Sequence, residues 1–96
     1  MPSYVRSNSV VSRVIAGETL IVPVRGGVGD LASIYSLNDV ASSIWNAISQ
    51  PCSKDRIVEC IEGEFVGERR EVERDVESFL AEMLSAGLVE ALGAPA

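Results

Sequence analysis

The chain has 96 residues, a mass of 10.2 kDa and a formal net charge of −6, with 47% hydrophobic and 23% charged residues. This size and composition predict a single globular domain over residues 1–96, with an ordered core of about 8–90, and they exclude disorder. Because histidine is absent, Ser/His/Asp and Cys/His catalysis and His-containing zinc sites are excluded. The sequence has neither a long apolar run nor a secretory signal, so we expect a cytoplasmic protein without membrane contact.

Charge and cysteine spacing narrow the function further. Residues 53–96 hold five positive and eleven negative charges and therefore supply the whole net charge. Such an acidic half repels phosphate backbones, so nucleic acid is not an expected partner. Cys52 and Cys60 match no metal-ligand spacing and are predicted to be free thiols. We expect no catalytic residue, cofactor or metal.

Three β-branched or alternating segments predict a sheet. Val10–Ala16 and Thr19–Val24 are joined through Gly17-Glu18, a pair typical of a two-residue type II′ turn. Pro23 cannot donate a hydrogen bond to a neighbouring strand, so we expect it at an edge or where pairing stops. After a glycine-rich loop, alternation over residues 32–37 predicts a third strand.

Three helices are predicted to follow these strands. Asn38 caps a first helix over about 39–50, and Ser53 caps a second. The third carries a clear apolar stripe and ends at Ala86-Gly87-Leu88, where glycine suits the left-handed position. This order predicts an α+β, winged-helix-like fold, with a three-stranded antiparallel sheet followed by a three-helix cluster.

Motifs that suggest enzyme chemistry have simpler interpretations. Residues 27–32 match GxGxxA, but a strand rather than a helix follows, so a hairpin loop is favoured over a dinucleotide site. The charged run 68–77 indicates a solvated helix face, with an acidic-partner surface as the alternative. Trp45 and Tyr35 are predicted in the core, and Cys60 is predicted to be structural. An uncovered third strand beside a long helix instead favours peptide binding by strand addition.

Two segments resemble the PqqD-like family. Residues 35–45 are similar to its Y-x-L-N-x-x-[GA]-x-x-I-W motif, and residues 75–89 to its closing D-V-x-x-F-L-x-x-L-x-x-x-G-L-V motif. The resemblance implies a recognition domain for ribosomally made, post-translationally modified peptides. Such a domain is a peptide chaperone that holds a precursor's leader between the third strand and the third helix and has no catalytic activity.

The resemblance also implies which residues bind the leader. The third strand offers backbone groups. Arg69, Glu73 and Leu80 lie to one side of Val76, toward one of two possible groove walls, and Arg70 and Arg74 are expected as rim charges. The implied peptide-binding residues are Ser33, Ile34, Tyr35, Ser36, Leu37, Arg69, Arg70, Glu73, Val76 and Leu80.

The implied partners are a precursor leader peptide and a modifying enzyme, either a radical S-adenosylmethionine protein or a leader peptidase. The pathway is of the pyrroloquinoline quinone type or the lasso-peptide type. Tyr35 and the Trp45 helix resemble the general PqqD-like and lasso-associated members more than the members of the cofactor pathway. Two other functions stay open: a self-associating scaffold, including a homodimer, and a winged-helix DNA-binding domain. The single lysine, Lys54, and the acidic helices argue against DNA binding.

Overall fold

The computed structural model describes residues 3–8, 10–25, 28–29 and 34–93. Its elements in chain order are β1 (Ser3–Arg6), β2 (Val10–Ile15), β3 (Glu18–Arg25), β4 (Val28–Gly29), β5 (Tyr35–Leu37), α1 (Asp39–Ala47), β6 (Cys52–Ser53), α2 (Lys54–Glu64), α3 (Arg69–Ser85) and β7 (Val89–Leu92). The predicted α+β order, with β2, β3 and β5 as an antiparallel sheet followed by three helices, is confirmed. Among the described residues, no helix is long and apolar enough to span a membrane.

The β2–β3 hairpin turns one residue earlier than predicted. Ile15 pairs with Glu18, so the two turn residues are Ala16 and Gly17 rather than Gly17 and Glu18. Both have positive φ, 53° and 80°, which is the signature of a type I′ turn and not of type II′. The prediction was wrong because Ala16 was assigned to the strand, although the right-handed twist of a hairpin favours left-handed backbone at both turn positions.

Pro23 lies where pairing stops, as predicted. It stands opposite Val10, the first residue of β2, and on its other side it falls between the pairs that β3 makes with β5 and with β4. Five residues, 30–34, separate β4 from β5, whereas only two residues of β3 separate the positions that pair with these strands. This difference in length interrupts the ladder. The strand predicted over 32–37 is therefore paired only at Tyr35–Leu37, and its residues 32 and 33 lie outside the described part.

The predicted helix starts are confirmed. The Asn38 side chain accepts a hydrogen bond from the Ala41 N–H at 2.8 Å, and the Ser53 hydroxyl accepts one from the Arg56 N–H at 3.3 Å. Helix α1 ends at Ala47, earlier than the predicted residue 50, because Pro51 disfavours helical backbone just before it and the chain must enter β6.

The predicted end of α3 at Gly87 is also confirmed. The N–H of Leu88 donates to the Met83 carbonyl at 2.9 Å and that of Gly87 to the Leu84 carbonyl at 3.1 Å. This is the hydrogen-bond pair of a Schellman motif, and Gly87 holds its left-handed position with φ 76°. The turn buries Leu88 and directs the chain into β7.

Gly87→Ala is expected to lower the free energy of unfolding by about 1–2 kcal/mol. No atom lies within 4 Å of an added Cβ, so the cost comes from the backbone conformation alone. Gly63 in α2 is the matched control, since its surroundings are equally open and its φ is not left-handed. Gly63→Ala should stabilise the fold by about 0.5–1 kcal/mol in urea denaturation. Equal effects from both substitutions would contradict this account of the turn.

A second sheet, in the order β6-β1-β7, was not predicted. Its strand β1 is held to α1 by Arg6, whose Nε donates to the Trp45 carbonyl at 2.9 Å and whose guanidinium lies 4.8 Å from the centre of the Trp45 ring. The backbone N–H of Arg6 also donates to the Ile48 carbonyl. These contacts close the carbonyl end of α1, which the sequence alone gave no reason to pair with the first residues of the chain.

One hydrophobic core joins the main sheet to the helices. Trp45 is 1% exposed, and Ile21 of β3, Ile57 of α2 and Val76 of α3 are fully buried. The predicted core position of Trp45 is thereby confirmed, and Tyr35 is half-buried against the same cluster. The core fixes the position of α3 relative to β5 and α1, which is where the candidate site forms.

Candidate functional site: the β5 edge and the α1–α3 pocket

Strand β5 pairs on one side only among the residues that the structure describes. Its partner is β3, with Leu37 opposite Thr19 and Tyr35 opposite Ile21. The side chain of Leu37 enters the core, whereas Ser36 is exposed and its hydroxyl donates to the carboxylate of Glu18. The other edge of β5 therefore presents backbone donors and acceptors that an extended peptide can use.

A pocket of about 250 Å³ opens where β5 leads into α1. Asn38, the residue that follows Leu37, lines its mouth, so the pocket begins where the strand edge ends. Its apolar lining consists of Val40, Ala41 and Ile44 from α1 and Phe79 from α3. Its polar lining consists of Asn38, Asp75, Ser78 and Glu82. The apolar lining residues are buried or half-buried and the polar ones are exposed, so the pocket has an apolar floor and a polar rim and can accept an apolar side chain.

The strand residues of the predicted site directly precede Asn38 in the chain, and those that the structure describes are not part of the pocket lining. Tyr35, Ser36 and Leu37 form β5, and Ile34, which precedes the strand, is 42% exposed. Ser33 lies outside the described residues. The backbone of this segment is consequently available to a peptide, while most of the Leu37 side chain is not.

The helix residues of the predicted site are not brought to the pocket. Arg69 donates to Glu62 of α2 at 2.7 Å and to Glu73 at 3.0 Å, so both Arg69 and Glu73 lie on the α2 side of α3. The hydrogen bond to Glu73, followed by the negative charge of Glu62, raises the pKa of Arg69. Arg70 is exposed and absent from the pocket lining.

Two further predicted residues are core residues. Val76 is 0% and Leu80 3% exposed, so their side chains have almost no surface to offer a ligand. They hold α3 against the sheet and helices. Any effect of these two residues on binding is expected to come through the fold.

The pocket residues of α3 were missed because its apolar stripe has two flanks. Arg69, Glu73 and Leu80 lie on one side of Val76, and Asp75, Ser78, Phe79 and Glu82 lie on the other. The helical pattern does not say which flank meets the strand edge. The packing of the helices decides it, since α2 covers the first flank and α1 adjoins the second.

The thiols are separate from this pocket. Cys52 and Cys60 are free, as predicted; Cys52 is half-buried and Cys60 is exposed. Burial, reinforced by the neighbouring Cys60, raises the pKa of the Cys52 thiol, which keeps it protonated and unreactive near neutral pH. Within the described ranges, no three His, Cys, Asp or Glu side chains are grouped to hold a metal.

Comparison with known proteins gives two findings. The sequence profile of the family described as Coenzyme PQQ synthesis protein D (PqqD) matches residues 18–89, which is most of the chain. A solved structure, TbiB1 in complex with the TbiA(β) leader peptide, is similar at 28% identity with a TM-score of 0.76. That similarity covers 96% of this chain and 99% of TbiB1. No match was found among curated proteins.

Proposed function

This chain belongs to the PqqD family, and from that premise we propose that it is a non-catalytic chaperone that binds the leader of a ribosomally made precursor peptide. The leader adds as a strand to the edge of β5 and places an apolar side chain in the α1–α3 pocket. The observation that carries this proposal is the direct continuity of the strand edge with the pocket, through Leu37 and Asn38. The similarity to a protein solved with a leader peptide supports the same function.

Micromolar affinity requires both strand addition and burial of an apolar side chain in the pocket. Four or five added backbone hydrogen bonds at a net of about 0.5–1.5 kcal/mol each supply only a few kcal/mol. A micromolar complex requires about 8 kcal/mol, and burying one large apolar side chain contributes about 1.5–3 kcal/mol. Strand addition gives the leader its register, and the pocket gives much of its affinity and selectivity.

The peptide contact residues follow from this placement. The proposed strand contacts are those that the family resemblance implies, mainly through backbone groups: Ile34, Tyr35, Ser36 and Leu37, with Ser33 before them in the chain. On α3, we assign the wall to Asp75, Ser78, Phe79 and Glu82 in place of the flank that carries Arg69 and Glu73. Arg70 remains a rim charge at most.

The bound leader presents its core peptide to a separate modifying enzyme. The candidate enzymes are a radical S-adenosylmethionine protein and a leader peptidase, and the candidate pathways are pyrroloquinoline quinone and lasso-peptide biosynthesis. The similarity to TbiB1, solved with a leader peptide, supports a leader peptide as the partner in either pathway. Chemistry by the partner requires no cofactor on this chain, and a cytoplasmic location suits an acceptor of newly made peptides.

Titration with leader peptides tests this function. The probes are the TbiA(β) leader and the leader segments of short reading frames adjacent to the gene. We expect saturable binding near micromolar to at least one, and its loss when a central peptide residue is replaced by proline, because proline cannot donate a ladder hydrogen bond. Cys60→Ser should bind unchanged, since this thiol is exposed on α2 and away from the site. Binding that tolerates proline at every peptide position would contradict strand addition.

Self-association is the second candidate, and the opposite edge of the main sheet favours it. Strand β2 is exposed along most of its length, with Val11, Val14 and Ile15 at 42%, 73% and 55%. Long apolar edges of this kind pair with a second copy unless something protects them. Sedimentation velocity over a range of concentrations should reveal a dimer that Val14→Lys dissociates. A monomer at all concentrations would exclude this candidate.

A further inference from the structure

Two carboxylates stand on either side of the apolar floor of the α1–α3 pocket. Asp75, Phe79 and Glu82 lie on one face of α3, with the phenyl ring between the two acids along the helix axis. Phe79 is 8% exposed and belongs to the core, and it also lines the pocket together with Val40 and Ile44 of α1. Acid, apolar surface and acid thus follow one another along the groove wall.

These two acids lack ion pairs, unlike three other carboxylates of α2 and α3. Glu77 is paired with Lys54, and Arg69 is bound to both Glu62 and Glu73. The side chains of Asp75 and Glu82 make no ion pair or hydrogen bond within the described part of the chain. No described side chain therefore neutralises the negative charge at the pocket, which is part of the net charge of −6.

We propose that the pocket selects a cationic leader segment, in which an apolar anchor residue is flanked by lysine or arginine. This inference rests on the proposed function and names the peptide chemistry that the site accepts. The anchor packs against Phe79, Val40 and Ile44, while the flanking cations meet Asp75 and Glu82. The unneutralised acids also attract such a peptide before contact and disfavour acidic ones.

The spacing of the acids predicts a sequence pattern. Asp75 and Glu82 are seven residues apart, about 10 Å along a helix axis. In an extended peptide, side chains that face the same side recur every second residue, so the positions two before and two after the anchor are about 13 Å apart. Flexible lysine and arginine side chains span the difference. The expected pattern is a cation, any residue, an apolar anchor, any residue and a cation.

Selection from a displayed library of short linear peptides with randomised central positions tests the inference. Wild-type protein should enrich peptides with this pattern. Replacing both acids by lysine, D75K/E82K, should keep the apolar anchor and exchange the flanking cations for aspartate or glutamate. Both acids are solvent-exposed, so the double variant is expected to fold, which circular dichroism checks.

Affinity measurements with one enriched peptide distinguish direct contacts with Asp75 and Glu82 from attraction by the net charge of the whole protein. D75N/E82Q should raise Kd about tenfold, as two partly desolvated ion pairs are lost. The matched control D55N/E59Q alters the net charge equally, at exposed positions of α2 outside the pocket lining, and should change Kd less than twofold.

Each contrary result has a distinct meaning. Enrichment of apolar anchors without any charge preference would overturn the inference and leave the proposed function intact. Equal losses in D75N/E82Q and in D55N/E59Q would also overturn it, because the attraction would then be a property of the whole molecule. Enrichment of no peptide by wild-type protein would overturn the proposed function itself.

Discussion

Ser78→Trp is expected to weaken leader-peptide binding by about 10- to 100-fold while leaving the fold intact. Ser78 is exposed on α3 and lines the pocket, so an indole at this position fills the space intended for the peptide's apolar anchor. Loss of that anchor removes about 1.5–3 kcal/mol of burial, and each 1.4 kcal/mol corresponds to tenfold in Kd. Fluorescence-anisotropy titration with a labelled leader peptide measures the change.

The matched control is Ala81→Trp. Ala81 is also exposed in α3, and it is absent from the pocket lining. The Ala81→Trp variant should bind the leader with a Kd within about twofold of that of wild type. Thermal melts of both variants should coincide with that of wild type within a few degrees. If Ser78→Trp binds normally in a folded protein, the anchor does not enter this pocket.

Trp45→Ala is expected to have the largest effect on stability, a loss of about 3–5 kcal/mol. The side chain is 1% exposed in the core and supports the Arg6 guanidinium that ties β1 to α1. Since domains of this size have about 5–15 kcal/mol in total, the variant should be marginally folded. Because Trp45 is the single tryptophan, urea unfolding must be followed by circular dichroism rather than by fluorescence.

Two further variants help to interpret the size of that loss in stability. Trp45→Phe should lose less, because it leaves a smaller cavity and removes an indole N–H that is buried without a hydrogen-bond partner among the described residues. Val66→Ala, at a fully exposed position, should change the free energy of unfolding by less than about 0.5 kcal/mol. A Trp45→Ala protein as stable as wild type would show that this residue does not anchor the core.

Most elements of the fold could be predicted from short-range sequence signals. Asn38 and Ser53 mark helix starts through side-chain caps, and Gly87 marks an end because its backbone is left-handed. These features depend on residues close in sequence. The strand Ser3–Arg6 was missed because its partners, Val89–Leu92 and Cys52–Ser53, are far along the chain and each run is too short to show a pattern.

The candidate site was likewise predictable only in part. Alternation around Tyr35 located the strand edge, but the choice between the two flanks of α3 depended on tertiary packing. Phe79 shows the difficulty, since its place in the apolar stripe predicted a core residue and it serves both the core and the pocket. A residue with two such roles has no separate sequence signal.

The most direct test is to locate the peptide strand by intermolecular nuclear Overhauser effects between isotope-labelled protein and unlabelled leader. We expect contacts from the peptide backbone to residues 34–37 and from its apolar anchor to Phe79. The main sheet has a second exposed edge at β2, which is the alternative place for a peptide strand to add. Contacts to Val11, Val14 and Ile15 of β2, with none to β5, would contradict the account.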